Sequence, residues 1–315
     1  MAYSIIKPKD RMEWLKYRES GIGSSEVGTI LGLNPFETPY QLWRRKKGLD
    51  APKQENFAMK AGHYLEDAVS LFYQDESGRE IIKSSAGDWL VVNKDKPYMR
   101  VSPDRTFWLP DAPHSKSNKG ILECKTTQLE IDENDLPKHW LCQITYQLGV
   151  AELQYGALAW LTQGRIFGYR DIIFDEEFYR YITDEVERFW LDNIQGNKEP
   201  LPMSVEDILI KNPRSTQGKS IVADTETIEQ VSELYGIKEQ IKQCTARKEE
   251  LEKSIKMFIG DAESLIIEGE KKPLVTWKTG KDKVKFDEKR FAAEHAELYK
   301  QYLTTTVGNR TFLIK

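Results

Sequence analysis

Gly120-Ile121-Leu122-Glu123-Cys124-Lys125 reads as a buried strand that carries its own chemistry, and Ser102-Pro103-Asp104 ends nineteen residues ahead of its glutamate. Alternate side chains of an extended strand share a face, so Glu123 and Lys125 project together while Leu122, Cys124 and Thr126 turn to the packed side. A carboxylate suited to a metal then sits beside a cation that can act on an attacking water, and Asp104 adds a second carboxylate. That order of residues suits metal-dependent hydrolysis of a phosphodiester. Glu-x-Lys alone is common, at roughly one chance occurrence in a chain of this length. Glu270-Lys271-Lys272 repeats it, but Gly269 and Pro273 flank it and make it a charged hairpin turn. Ser102-Pro103-Asp104 by itself would equally be a turn with a capping Asp.

Upstream, Ala61-Gly62-His63-Tyr64-Leu65-Glu66 opens a helix whose apolar stripe is Leu65, Ala68, Val69, Phe72 and Tyr73. Glu66 lies beside that stripe, so a third carboxylate can reach the cluster. Downstream, Trp140, Ile144, Leu148 and Ala151 mark one helix face, with Gln143 and Gln147 one turn apart on an adjoining face. Paired amides suit a phosphate backbone or a water. Such residues are also ordinary on solvated helix surfaces.

With these residues in place the chain resembles a known family. Arg18-Glu19-Ser20-Gly21-Ile22-Gly23-Ser24-Ser25-Glu26, then Ile30 to Phe36, Thr38-Pro39 and Leu42-Trp43, is similar to the opening signature of the YqaJ-type phage exonucleases, relatives of phage lambda exonuclease. Gly62 to Glu66, Ser102-Pro103-Asp104, Glu123-Cys124-Lys125 and the Gln143 helix follow in the order of that family's later motifs, over about residues 10 to 200. One position departs from the pattern: Arg105 stands where a Gly often follows the Asp, which stiffens that turn.

The resemblance implies an α/β (α+β) fold with a restriction-endonuclease-like PD-(D/E)xK core, a mixed sheet flanked by helices. It implies a 5′-to-3′ exonuclease on double-stranded DNA ends that leaves 3′ single-stranded tails for a strand-annealing recombinase. Asp104, Glu123 and the main-chain carbonyl of Cys124 would hold Mg²⁺, with Mn²⁺ as a substitute and Glu66 holding a second ion. Lys125 would position or deprotonate the water. Arg18 and Ser25 resemble a pocket for a 5′-terminal phosphate, and Gln143 and Gln147 would touch DNA. Gly21 to Glu26 is also an ordinary capped loop, and it lacks the third Gly and the preceding strand of a dinucleotide site. A homo-oligomer, in the form of a ring trimer that encloses DNA, is a further implication.

Composition fits without deciding. The 315 residues, 39% hydrophobic and 30% charged, allow one large core and an appendage. A formal charge of −4 argues against indiscriminate DNA binding, while Arg44-Arg45-Lys46-Lys47 beside Trp43 offers a local basic patch or simply complements a helix dipole. Cys124, Cys142 and Cys244 contain no Cys-x-x-Cys, which disfavours structural zinc and iron–sulfur clusters. No apolar segment has membrane-spanning length and no secretory signal is evident, so the cytoplasm is expected.

Boundaries are expected at 1–200 for the nuclease core, 201–224 for a breaker-rich connector with a short helix, and 225–315 for an appendage. A long helix from Asp224-Thr225 to Gly260 carries a seam of Leu234, Ile237, Ile241, Cys244, Lys248, Leu251, Ile255 and Phe258, which needs a partner helix and is expected to pack on the core or within the chain, with an intermolecular coil as the alternative. A hairpin of Leu265-Ile266-Ile267 with Leu274 to Trp277, a helix over 287–303 and a strand through Arg310 to Ile314 should follow. Two other readings compete with the exonuclease: a structure- or site-specific endonuclease on the same fold, and a non-catalytic DNA-end or partner-binding module.

Overall fold

The computed structural model describes residues 2–51, 56–82, 90–110, 113–115, 118–306, 308 and 310–314. Along the chain the strands are β1 (Tyr3–Ile6), β2 (Ile22–Gly23), β3 (Ile81–Ile82), β4 (Leu90–Asn93), β5 (Met99–Val101), β6 (Arg105–Trp108), β7 (Lys119–Thr127), β8 (Tyr155–Thr162), β9 (Ile166–Ile173), β10 (Ser264–Leu265) and β11 (Val275–Thr276). The helices are α1 (Arg11–Glu19), α2 (Ser24–Ile30), α3 (Pro39–Lys46), α4 (Phe57–Ser77), α5 (Lys138–Ala151), α6 (Glu176–Arg188), α7 (Val205–Lys211), α8 (Thr225–Ile259), α9 (Glu288–Glu294) and α10 (Ala296–Gln301). A π-helical stretch, Phe189–Gln195, continues α6.

The chain divides into two compact units, 1–211 and 212–315. In the first, β7 sits at the centre of a five-stranded mixed sheet ordered β3-β6-β7-β8-β9. It pairs antiparallel with β6, setting Arg105 opposite Leu122, and parallel with β8, setting Glu123 opposite Leu158. A parallel pair needs a crossover, and α5 supplies it. Period-two alternation then sorts the side chains of β7. Leu122 and Cys124 face α4, packing with Val69, Tyr73 and Phe107. Ile121 faces α5 and joins Trp140, Ile144 and Leu148. With both faces covered, β8 reads as a nearly unbroken apolar run, Gly156-Ala157-Leu158-Ala159-Trp160-Leu161, as a buried parallel strand should. A second sheet, ordered β1-β4-β5-β2, brings β2 parallel to β5 and leads directly into α2. Helix α2 lies close on α5 because Gly28 has no side chain: a Cβ there would stand 2.6 Å from that of His139.

Helix α4 starts one turn earlier than the sequence suggests, at Phe57 rather than Ala61. Asn56 caps it by accepting from the Met59 amide at 2.9 Å. Residues 203–207, expected within the connector, are tied to α3 instead. Buried Asp207 accepts from Thr38 Oγ1 at 3.0 Å, Gln41 Nε2 at 2.9 Å and the Met203 amide at 2.9 Å.

In the second unit α8 has the expected limits, with Asp224 as N-cap and Gly260 as C-cap. Its seam is not packed as expected: Ile237, Ile241, Leu251 and Phe258 are exposed, and Ile259 is the buried position. A helix can form without that burial because its own backbone bonds and exposed i,i+4 ion pairs such as Lys248–Glu252 need no partner. The hairpin forms as β10 against β11. The single helix expected over 287–303 is broken at His295, whose backbone leaves helical geometry (φ −132°, ψ 49°). The strand expected through Arg310 to Ile314 is not formed; residues 310–314 have no ladder partner among the described residues.

Candidate active site

Strand β7 and helix α5 build the site between them. Glu123 and Lys125 point to the α5 face, and Glu123 is buried. Lys125 Nζ donates to Glu123 Oε1 at 2.6 Å and to Gln143 Oε1 at 2.8 Å. Gln143 Nε2 donates to the same Glu123 oxygen. The other oxygen, Oε2, accepts from Gln147 Nε2 at 2.8 Å, and Gln147 also donates to Ser24 Oγ at 3.1 Å. Both expected glutamines therefore hold the glutamate, and Gln147 does so from full burial, with its Oε1 lacking a donor among the described residues.

Asp104 enters from the residue before β6. Its Oδ2 accepts the Cys124 amide at 2.8 Å, which fixes it against β7. Burial, then the negative fields of Glu123 and Glu66, push the Asp104 carboxyl well above the ordinary carboxylate range; Lys125 and the Cys124 amide only partly offset this. Glu66 is pushed up as well, by burial, and Arg105 opposes that rise while Glu123 adds to it. Burial works against the charge of Lys125, but Glu123 and Asp104 outweigh it and hold its pKa above the usual lysine value. Lys125 is thus a protonated donor in this setting. The Cys124 thiol is driven up by burial and the carboxylates, so it is not a nucleophile.

Glu66 lies within the field of Asp104 and Glu123, but its carboxylate is already taken by a cation. Arg105 Nη1 donates to it at 2.7 Å and to the Asp104 carbonyl at 2.6 Å, while Nη2 reaches Asp67 at 2.5 Å. Among the described residues, no three His, Cys, Asp or Glu side chains form a closed metal cage. A divalent ion nevertheless fits the pair: the Asp104 and Glu123 carboxylates are hard oxygen donors in each other's field, the Cys124 main chain that bonds Asp104 follows Glu123 directly, and a cation would relieve the mutual repulsion of the two carboxylates.

The N-terminal signature forms a neighbouring cluster. Arg18 Nη2 donates to Ser25 Oγ at 2.6 Å, and its guanidinium stacks over Trp14 at 5.0 Å. Buried Glu26 accepts from the Gly23 amide at 2.9 Å and pairs with Lys46 at 2.8 Å and Arg45 at 3.1 Å. Burial alone would raise the Glu26 pKa, but Lys46, Arg45 and Arg18 hold it below normal. The run Arg44 to Lys47 is therefore not a free DNA-facing patch. Arg44 pairs with Asp50 at 2.7 Å, Arg45 also with Glu37 at 2.8 Å, and Lys47 donates to the Ile194 carbonyl at 3.2 Å. Sequence reading singled out neither Glu26 nor Ser24 as a site residue, and it treated Arg105 only as a stiff turn. The signal for Glu26 was present in its place three residues after Gly23, a capping-box spacing beside a basic helix end.

The YqaJ-like viral recombinase domain matches residues 13–154. The uncharacterized protein YqaJ of Bacillus subtilis (strain 168) is 30% identical over 264 residues, 80% of this chain and 79% of that protein. Among solved structures, an alkaline exonuclease from Laribacter hongkongensis aligns with a TM-score of 0.45 at 16% identity, covering 59% of this chain and 93% of that one. A phage-related exonuclease from Haemophilus somnus 129PT aligns at 0.38 and 9% identity, covering 56% and 96%. Sequence identity sustained over most of both chains, together with a domain match that spans Arg18, Glu66, Asp104, Glu123, Lys125 and Gln147, assigns this chain to the YqaJ-like viral recombinase family.

Proposed function

We propose that the protein is a Mg²⁺-dependent 5′-to-3′ exonuclease acting on double-stranded DNA ends and leaving 3′ tails for an annealing recombinase. The observation that carries this is the convergence of Asp104, Glu123 and Lys125 with Gln143 and Gln147 closing around Glu123. Asp104, Glu123 and the Cys124 carbonyl would hold the ion. When bound, it supplies Lewis-acid polarisation of the scissile phosphate and activation of water. Gln147 and Gln143 fix the rotamer of Glu123, so the carboxylate is in place before substrate arrives. Gln143 also aims Lys125, whose raised pKa makes it a donor to the attacking water or to developing phosphoryl charge rather than a free base. Arg18 and Ser25 would receive a 5′-terminal phosphate, a dianion matched by a guanidinium fork and a hydroxyl at the start of α2.

Linear duplex with a 5′ phosphate should be degraded with Mg²⁺ and untouched with EDTA. Asp104→Ala and Glu123→Ala should abolish cleavage and keep end binding. Lys125→Ala should lose roughly 10²-fold or more in rate. Cutting of covalently closed circles would assign an endonuclease, and end binding without cleavage would assign a binding module.

A further inference from the structure

Three carboxylates gather at this site, and two of them already have a cation. Lys125 is paired with Glu123 at 2.6 Å, and Arg105 is paired with Glu66 at 2.7 Å. Asp104 has no direct ion pair among the described residues, although it lies in the field of Lys125. Asp67, the other partner of Arg105, is exposed and screened by solvent; among the three inward carboxylates, charge alone then leaves a single negative excess, centred on Asp104. One divalent ion more than neutralises it. A second ion at Glu66 would have to displace a guanidinium that is itself buried and bonded on three sides, to Glu66, to Asp67 and to the Asp104 carbonyl. Displacing it would strand a buried charge, a cost that pairing elsewhere would have to repay.

We propose that Arg105 is the second cation of this site, so that the DNA-free protein binds one divalent ion per chain, at Asp104, Glu123 and the Cys124 carbonyl. Arg105 is a positioning residue in this arrangement: it holds Glu66 away from the ion and anchors the carbonyl of the residue whose side chain is a ligand. The inference rests on the nuclease reading of Asp104 and Glu123 and goes beyond it in assigning the ion count and the role of Arg105. It also replaces the two-ion expectation attached to Glu66.

The test is Mn²⁺ binding to the full chain without DNA, counted by equilibrium dialysis and by loss of the free-ion electron paramagnetic resonance signal. The wild type should bind one Mn²⁺ per chain, with no second step at concentrations that saturate the first. Arg105→Ala should release Glu66 and take up two. Since loss of a buried arginine can impair folding, Glu66→Gln gives an independent arm, and it should still bind one ion with affinity within about threefold of wild type, a difference under about 0.7 kcal/mol. Two ions on the wild type, or loss of the bound ion in Glu66→Gln, would overturn the proposal. A folded Arg105→Ala that still binds only one would do the same. No Mn²⁺ on the wild type at all would instead bring down the nuclease reading beneath it.

Discussion

Asp104 shows what the site costs the fold. Its carboxyl is raised well above the ordinary range by burial and by Glu123 and Glu66, so its ionisation opposes folding when no metal is present. The sign follows from linkage. A folded value above the unfolded one, about 3.9, gives a contribution fully present below that pH and lost as pH rises through the raised folded value. In EDTA, Asp104→Asn should therefore unfold at a higher temperature than wild type at neutral pH, by roughly 2–4 °C for each kcal/mol relieved, and match it near pH 4. Added Mg²⁺ should stabilise the wild type and close the gap. Differential scanning at several pH values decides it, and a wild type at least as stable as the variant throughout would refute it. Gln147 makes the converse case. Gln147→Leu removes a donor from buried Glu123, and it should lower stability by about 1–3 kcal/mol in denaturant titration, because an unmet buried acceptor costs more than a lost bond is worth. Glu123, Lys125 and Asp104 were legible because strand period and chain order place them. Arg105 was not: its partners Glu66 and Asp67 lie 39 and 38 residues away on another element, and only the fold brings them together.

At the scale of elements, α3 is held by a residue that sequence reading put in a connector. Asp207 on α7 accepts four donors, from Thr38, Gln41, Met203 and Ser204, and these bonds hold its pKa below normal against the effect of burial. Asp207→Ala would leave those donors without their acceptor and should destabilise the protein by about 1–3 kcal/mol in denaturant titration. Here the folded value is depressed, so the stabilisation is present above the unfolded pKa near 3.9 and fades as pH falls through the folded value. A difference between Asp207→Ala and wild type that persists unchanged well below pH 3 would contradict this account. The long elements β7, α5 and α8 were readable from their residue patterns, whereas β8, a nearly unbroken apolar run, was not singled out. The short ones were not readable. Helix 287–303 broke at His295 and the terminal strand did not form, because short segments with no buried face depend on context rather than pattern.

For the whole molecule, the separation of chemistry from the C-terminal unit carries the last prediction. Asp104, Glu123, Lys125, Gln143, Gln147, Arg18 and Ser25 all lie within the first compact unit, 1–211, and so does the Asp207 clamp. The second unit offers a 35-residue helix whose seam positions Ile237, Ile241, Leu251 and Phe258 are exposed. Exposed apolar residues spaced along one helix are a liability in a monomer and suit assembly. A chain ending at Lys211 should therefore retain Mg²⁺-dependent cleavage of linear duplex within about tenfold of the full chain, a barrier change of under about 1.4 kcal/mol. The full chain should form the expected homo-oligomer by light scattering, and the truncated chain should run as a smaller species with processivity lost under a DNA trap. Ile241→Lys in the full chain separates the two effects, since one charge in the seam should weaken assembly while leaving hydrolysis of short duplexes unchanged. A folded 1–211 chain with no cleavage at all would show that residues beyond 211 complete the active site. A full chain that is monomeric yet processive would remove the ring from the account.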